Sequence, residues 1–159
     1  MKRKITAVIL LCAILVTLLA GCGAASINKP TMKPGATAFE VTGSCEAELQ
    51  GSTFTVSGTT NLADGILATI SVFSPEGKLV ETVNFTKSGD TLKHDFTVTE
   101  KWPDEAYGFI TFDTYQAGTQ PQNILDLYGS QLENLQGSNV IWENHGMAAV
   151  FQSELVKIR

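Results

Sequence analysis

The chain has 159 residues with 11 Lys+Arg against 16 Asp+Glu, a formal charge of -5. An acidic chain is repelled by nucleic acid and by anionic headgroups, which argues against nucleic acid as a partner. Setting aside the apolar start and the small, polar stretch behind it leaves about 120 residues for a core, room for one domain and too few for two.

Lys2, Arg3 and Lys4 form a positive n-region, and Ile5 to Ala20 is an uncharged run rich in Leu, Ile, Val and Ala. That run has the length of a signal h-region and falls short of the roughly 20 residues of a spanning helix. It ends in Leu19-Ala20-Gly21-Cys22, which resembles the lipobox of bacterial lipoproteins: a Leu, two small residues and a Cys. The resemblance implies cleavage before Cys22, a diacylglycerol on its thiol and, where the new amino group is acylated, an N-acyl chain. Residues 1–21 are then a signal peptide, in which Cys12 is only an apolar residue, and Cys22 is the lipid attachment site and membrane anchor. A second chain makes such an anchor stable, at about 0.8 kcal/mol per buried CH₂. With Lys2, Arg3 and Lys4 removed, 8 basic residues face 16 acidic ones, a charge of -8. Lipid, not charge, must therefore hold the domain at a membrane. Cys45 is the one thiol left, so no intramolecular disulfide forms.

Residues 22–38 read as a lipidated flexible tether, since Gly23, Ala24, Ala25, Ser26, Lys29-Pro30 and Lys33-Pro34-Gly35 cannot bury a face. The Asp that signals inner-membrane retention in lipoproteins is replaced by Gly23, which points to the extracytoplasmic side and the cell surface.

Residues 39–159 read as the folded domain. Phe39, Val41, Gly43, Cys45, Ala47 and Leu49 alternate with polar residues through Gln50, the pattern of one long strand with one buried face. Gly51-Ser52 turns the chain into a second alternating strand, Phe54 to Gly58. Asp64-Gly65 marks a loop, and Ile66 to Phe73 is apolar on both phases, as a mid-sheet strand requires. Ser74-Pro75-Glu76-Gly77 suits a type I turn. Strands follow over Lys78 to Thr86, over Leu92 to Val98 and over Tyr107 to Tyr115. Strands split by Gly, Pro, Asn and Asp turns with no long helix indicate an all-β, antiparallel β-sandwich.

Trp102-Pro103 followed by Tyr107, Phe109 and Thr111 resembles the corner of fibronectin type III and other immunoglobulin-like domains. The resemblance implies an immunoglobulin-like sandwich in which the Tyr107 hydroxyl bonds back to nearby backbone. Beyond Tyr115 the spacing of Ile124, Leu127 and Tyr128 predicts one short helix over 122–128, opened by a Thr119–Gln122 capping box. Val140 to Trp142 and Met147 to Ile158 read as closing strands, the last central.

The chemistry is thin. His94 shares the apolar phase of its strand, where a core or rim histidine is the ordinary reading. His145-Gly146-Met147 resembles half of the copper motif of periplasmic copper-carrying lipoproteins, so His145, Met147 and His94 are weak metal candidates. The other half of that motif is missing, and the reading stays at no metal and no cofactor beyond the covalent lipid. Cys45, with His94 or His145 as base, would make a nucleophile, but it lies in a buried phase where a thiol acts as a small hydrophobe. No nucleophile elbow, zinc helix, calcium loop or phosphate loop is present. Glu40, Glu46 and Glu48 form a solvated face that guards a sheet edge. The expectation is a non-catalytic binding module for an unknown protein or glycan ligand. The alternatives are an inhibitor or accessory subunit of an envelope complex, and a copper-binding envelope protein or envelope enzyme. Trp102, Trp142 and Tyr115 decide between ligand face and core by whether they are exposed.

Overall fold

The computed structural model describes residues 28–143 and 145–159. The expected signal peptide, Cys22 and the first part of the expected tether lie outside the described residues. In chain order the elements are β1 (Phe39–Glu40), β2 (Gly43–Gln50), β3 (Thr53–Thr60), β4 (Leu67–Phe73), β5 (Leu79–Thr86) and β6 (Thr91–Thr97). They continue with β7 (Glu105–Phe112), α1 (Gln122–Tyr128), β8 (Leu135–Gln136), β9 (Val140–Glu143), β10 (Gly146–Gln152) and β11 (Val156–Lys157).

Two antiparallel layers result, β2-β3-β6 and β5-β4-β7-β10-β9, an all-β sandwich with one short helix. Their inner faces meet through Phe54 and Val56 of β3, Ile70 and Val72 of β4, Ile110 and Phe112 of β7, and Phe151 of β10, all buried. β4 lies between β5 and β7, and its five interior residues are buried on both phases, as its apolar run predicts. Close approach of the layers explains glycines inside strands. A Cβ on Gly108 would stand 2.8 Å from both Val56 methyls, and one on Gly58 would stand 2.6 Å from Ile110 Cδ1.

The long first strand expected over 39–50 is broken in two. Asn61 causes the break: its side-chain amide donates to Glu40 O at 2.9 Å, and its Oδ1 accepts the Thr42 N–H at 2.9 Å. The chain is thereby steered so that β1 pairs with β8 in parallel, the exception to the antiparallel pattern. At the other end, Ser153 interrupts the last strand. Its N–H donates to Gly108 O at 3.0 Å and its Oγ accepts the Gly108 N–H at 2.8 Å, after which β11 continues along the same edge of β7.

The helix falls at 122–128 as predicted, but the capping box is not made. Pro121 is the N-cap with no side-chain cap, and Gln122 Nε2 donates forward to Asp126 Oδ1 at 2.8 Å. Packing holds this short helix instead: Ile124 and Tyr128 are buried, and the Tyr128 hydroxyl accepts the Ala63 N–H at 2.8 Å. The expected Tyr107 corner is also replaced. The Tyr107 ring stacks on Phe73 at 5.8 Å on the outer face, and among the described residues its hydroxyl makes no hydrogen bond. The β6–β7 crossover is fixed by Arg159, whose Nη2 donates to the carbonyls of Thr99, Glu100 and Trp102 at 3.2, 2.8 and 2.8 Å.

Candidate functional site

Tyr115, Glu143 and His145 gather at one end of the larger sheet, where the chain leaves β7 and where β9 turns into β10. Asp113 starts this site. Its Oδ1 accepts the N–H groups of Tyr115 at 2.8 Å and Gln116 at 2.7 Å, a local turn available to Asp because its short carboxylate reaches backbone two residues on. Gln120 then ties the loop down, donating from Nε2 to the carbonyls of Asp113 and Leu67 and accepting the Leu67 N–H at 2.9 Å. The loop so fixed holds Tyr115 against the β9–β10 hairpin.

The Tyr115 hydroxyl donates to Glu143 Oε2 at 3.0 Å and accepts from Gln116 Nε2 at 3.2 Å. The Tyr115 and His145 ring centroids are 4.5 Å apart, and Thr114 Oγ1 donates to the His145 carbonyl at 3.0 Å. The Gln116 amide favours the phenolate, but burial and the Glu143 and Asp113 carboxylates outweigh it and raise the Tyr115 pKa above 10.0. Tyr115 is thus a protonated donor at neutral pH. Asp113 Oδ2 and Thr69 Oγ1, on the same outer face, are buried and have no hydrogen-bond partner among the described residues. Side chains alternate along β9, so Ile141 and Glu143 share the Tyr115 face while Trp142 points to the other. Tyr115 and Trp142 are each 43 % exposed, while Trp102 is buried at 3 % against Phe54. Two of the three aromatics that the sequence singled out are available to a ligand, and the third belongs to the core.

The remaining candidates are dispersed. His145 is exposed, whereas Met147, two residues on, is buried in the core. His94 lies on β6 in the other sheet, half-buried with its ring edge-on to Phe96 at 4.6 Å. Among the described residues no group of three or more His, Cys, Asp or Glu side chains is placed to hold a metal ion. Cys45 and His94 are separated by the whole of β3, roughly 10 Å at normal strand spacing, so neither can act on the other. Burial pushes the Cys45 thiol up to about 12, with a Ser153 backbone contact opposing it, the wrong direction for a nucleophile.

At the opposite end of β4 and β7 lies a groove of about 470 Å³ lined by Ser74, Leu79, Glu81, Thr99, Lys101 and Trp102. Its floor is a structural contact, the Trp102 indole N–H donating to Glu81 Oε1 at 3.2 Å. No helix among the described residues is long and apolar enough to cross a membrane. No protein-family model, no curated protein and no solved structure matches the chain.

Proposed function

We propose that the chain is a bacterial lipoprotein, anchored through diacylglyceryl Cys22 on the extracytoplasmic side of the cell membrane, whose sandwich binds a protein or glycan without catalysis. The observation that carries this reading is Leu19-Ala20-Gly21-Cys22 at the end of a short apolar run behind Lys2-Arg3-Lys4. The strand order supports the immunoglobulin-like part of it: β2-β3-β6 against β5-β4-β7-β10 follows strands A-B-E against C′-C-F-G, with α1, β8 and β9 inserted before the last strand. Fold alone does not assign function. The binding role rests on the fixed loop that holds Tyr115 beside Glu143 and His145, a donor, an acceptor and an aromatic face at one exposed end.

Metabolic labelling of the full chain with a palmitate analogue tests the anchor: label in the parent protein and none in Cys22→Ser, which leaves the membrane fraction, is the expected result. A Cys22→Ser protein that stays membrane-bound and unacylated overturns it. Capture on cell-wall glycan and on solubilised membrane proteins, with Tyr115→Ala as control, tests the binding role. Retention equal in the two proteins removes the Tyr115 end as the binding surface.

A further inference from the structure

The sequence of β6 is Thr91-Leu92-Lys93-His94-Asp95-Phe96-Thr97, and read outward from His94 its two arms complement each other. Among the described residues β6 is also an open edge, the last strand of β2-β3-β6, paired on one side only. The Val98 N–H donates to Ser52 O at 2.8 Å, which sets the ladder alternation: the even-numbered residues of β6 bond to β3. Thr91, Lys93, Asp95 and Thr97 therefore turn their N–H and C=O groups outward, an unpaired row that templates another strand. Lys93 and Asp95 project from the outer face with side chains 59 % and 55 % exposed, only 4.0 Å from each other, and Asp95 Oδ1 also accepts from Thr55 Oγ1 of β3 at 2.6 Å, which holds the carboxylate in place on that face.

We infer that β6 is a homodimerisation edge, pairing antiparallel with β6 of a second copy about a two-fold axis at His94. In that register Lys93 of each copy faces Asp95 of the other, giving two reciprocal ion pairs. Leu92 faces Phe96, Thr91 faces Thr97, and every outward N–H and C=O of the four odd residues meets a partner. Inner faces stay aligned with inner faces, so the two three-stranded layers become one six-stranded sheet, the isologous arrangement a C2 dimer requires. Other edges lack this match. β2 carries Glu46 and Glu48, which self-pairing about Ala47 sets against each other, and β5 carries a single charge, Glu81, that specifies no register.

Directly opposed residues have Cβ atoms about 4.5–5.5 Å apart, close to disulfide reach, whereas the two Thr97 positions would lie about 20 Å apart. The test is oxidative cross-linking of the full chain in membranes, read on a non-reducing gel. His94→Cys is expected to give a species of twice the chain mass, about tenfold more abundant than in Thr97→Cys or in the parent protein, whose native thiols serve as the blank. Adding Lys93→Asp or Asp95→Lys to His94→Cys sets like charges opposite in two places and removes the band. Co-expressing those two charge-reversed proteins restores it, because each supplies the charge the other lacks. Lys93→Asp touches only an exposed side chain, whereas Asp95→Lys also removes the bond from Thr55, so a thermal melt of each protein separates lost pairing from lost fold. A band equally strong at Thr97→Cys, absent at His94→Cys, or indifferent to the charge reversals overturns the inference.

Discussion

Lys87 Nζ lies 2.7 Å from Asp64 Oδ1, a lysine side chain only 4 % exposed meeting a carboxylate that stands in solvent. The same carboxylate accepts the Gly89 N–H through both oxygens at 3.1 Å, and the backbones of Gly65 and Lys87 are bonded at 2.8 Å. One contact thus closes two loops, 61–65 and 87–90, at the end of the core.

The pH dependence follows from that contact. The Lys87 side chain, then the Gly89 N–H, hold the Asp64 carboxyl below its ordinary 3.8. A group whose folded pKa is depressed stabilises the native state above its unfolded value and loses that contribution as pH falls through the folded one. Thermal melts are expected to be insensitive to this pair above about pH 4 and to drop below it. In Asp64→Asn the acid-limb drop is smaller, and the melt at pH 7 is lower than the parent's because Lys87 stays buried without its counter-charge. An unchanged pH 7 melt in Asp64→Asn contradicts this account.

Gly108 and Val56 set the distance between the layers. Gly108→Ala puts a methyl 2.8 Å from both Val56 methyls, and overpacking of this kind costs about 1–3 kcal/mol. Val56→Ala alone removes buried methyls from a side chain that is 0 % exposed and destabilises as well. Combined, the two changes relieve the clash, so the double variant is expected to be more stable than the sum of the single effects by at least about 1 kcal/mol. Urea unfolding of the four proteins measures this directly.

Periodicity made β2 to β7 legible, because alternation reports which face of a strand is buried and the turns carry Gly, Pro and Asp where the backbone needs them. What it missed was decided by side chains bonding across the fold. Asn61 splits the first strand by binding Glu40 and Thr42, and nothing local to Phe39–Gln50 records that. Arg159 replaces Tyr107 at the crossover from 52 residues away in sequence, and a resemblance built on ten residues could not include it. At the candidate site Tyr115 and His145 were readable as residue types, but their meeting depends on Asp113 and Gln120, buried polar residues in a loop. An Asp at a strand end followed by a Gln is a weak signal until the strand they clamp is known.

Tyr115 offers a spectroscopic check on that site. Against the Gln116 amide, burial and the Glu143 carboxylate at its hydroxyl raise its pKa, so Glu143→Gln, which removes the second of these, should lower the phenol's titration, read as tyrosinate absorbance. His145→Ala removes the ring at 4.5 Å and leaves that carboxylate in place, so the elevated titration should persist. The opposite ranking of the two variants would place the controlling charge elsewhere.

Cys45 tests whether the sandwich interior is as closed as its packing implies. Burial lifts the thiol from 9.0 to about 12, so at pH 8 the folded protein carries roughly a thousandfold less thiolate than the unfolded chain. Thiol labelling of the native domain at pH 8 should be slower than in denaturant by about that factor, limited only by transient opening. The linkage runs opposite to that of Asp64. A raised folded pKa means that the native state keeps a proton the unfolded chain gives up, so stability contributed by Cys45 is complete below about 9 and declines as pH rises toward 12. Cys45→Ala removes that titration and should flatten the alkaline limb of the melting curve. Native labelling at the unfolded rate would mean that the strand pair β2–β3 opens freely and that Cys45 is a reactive thiol after all.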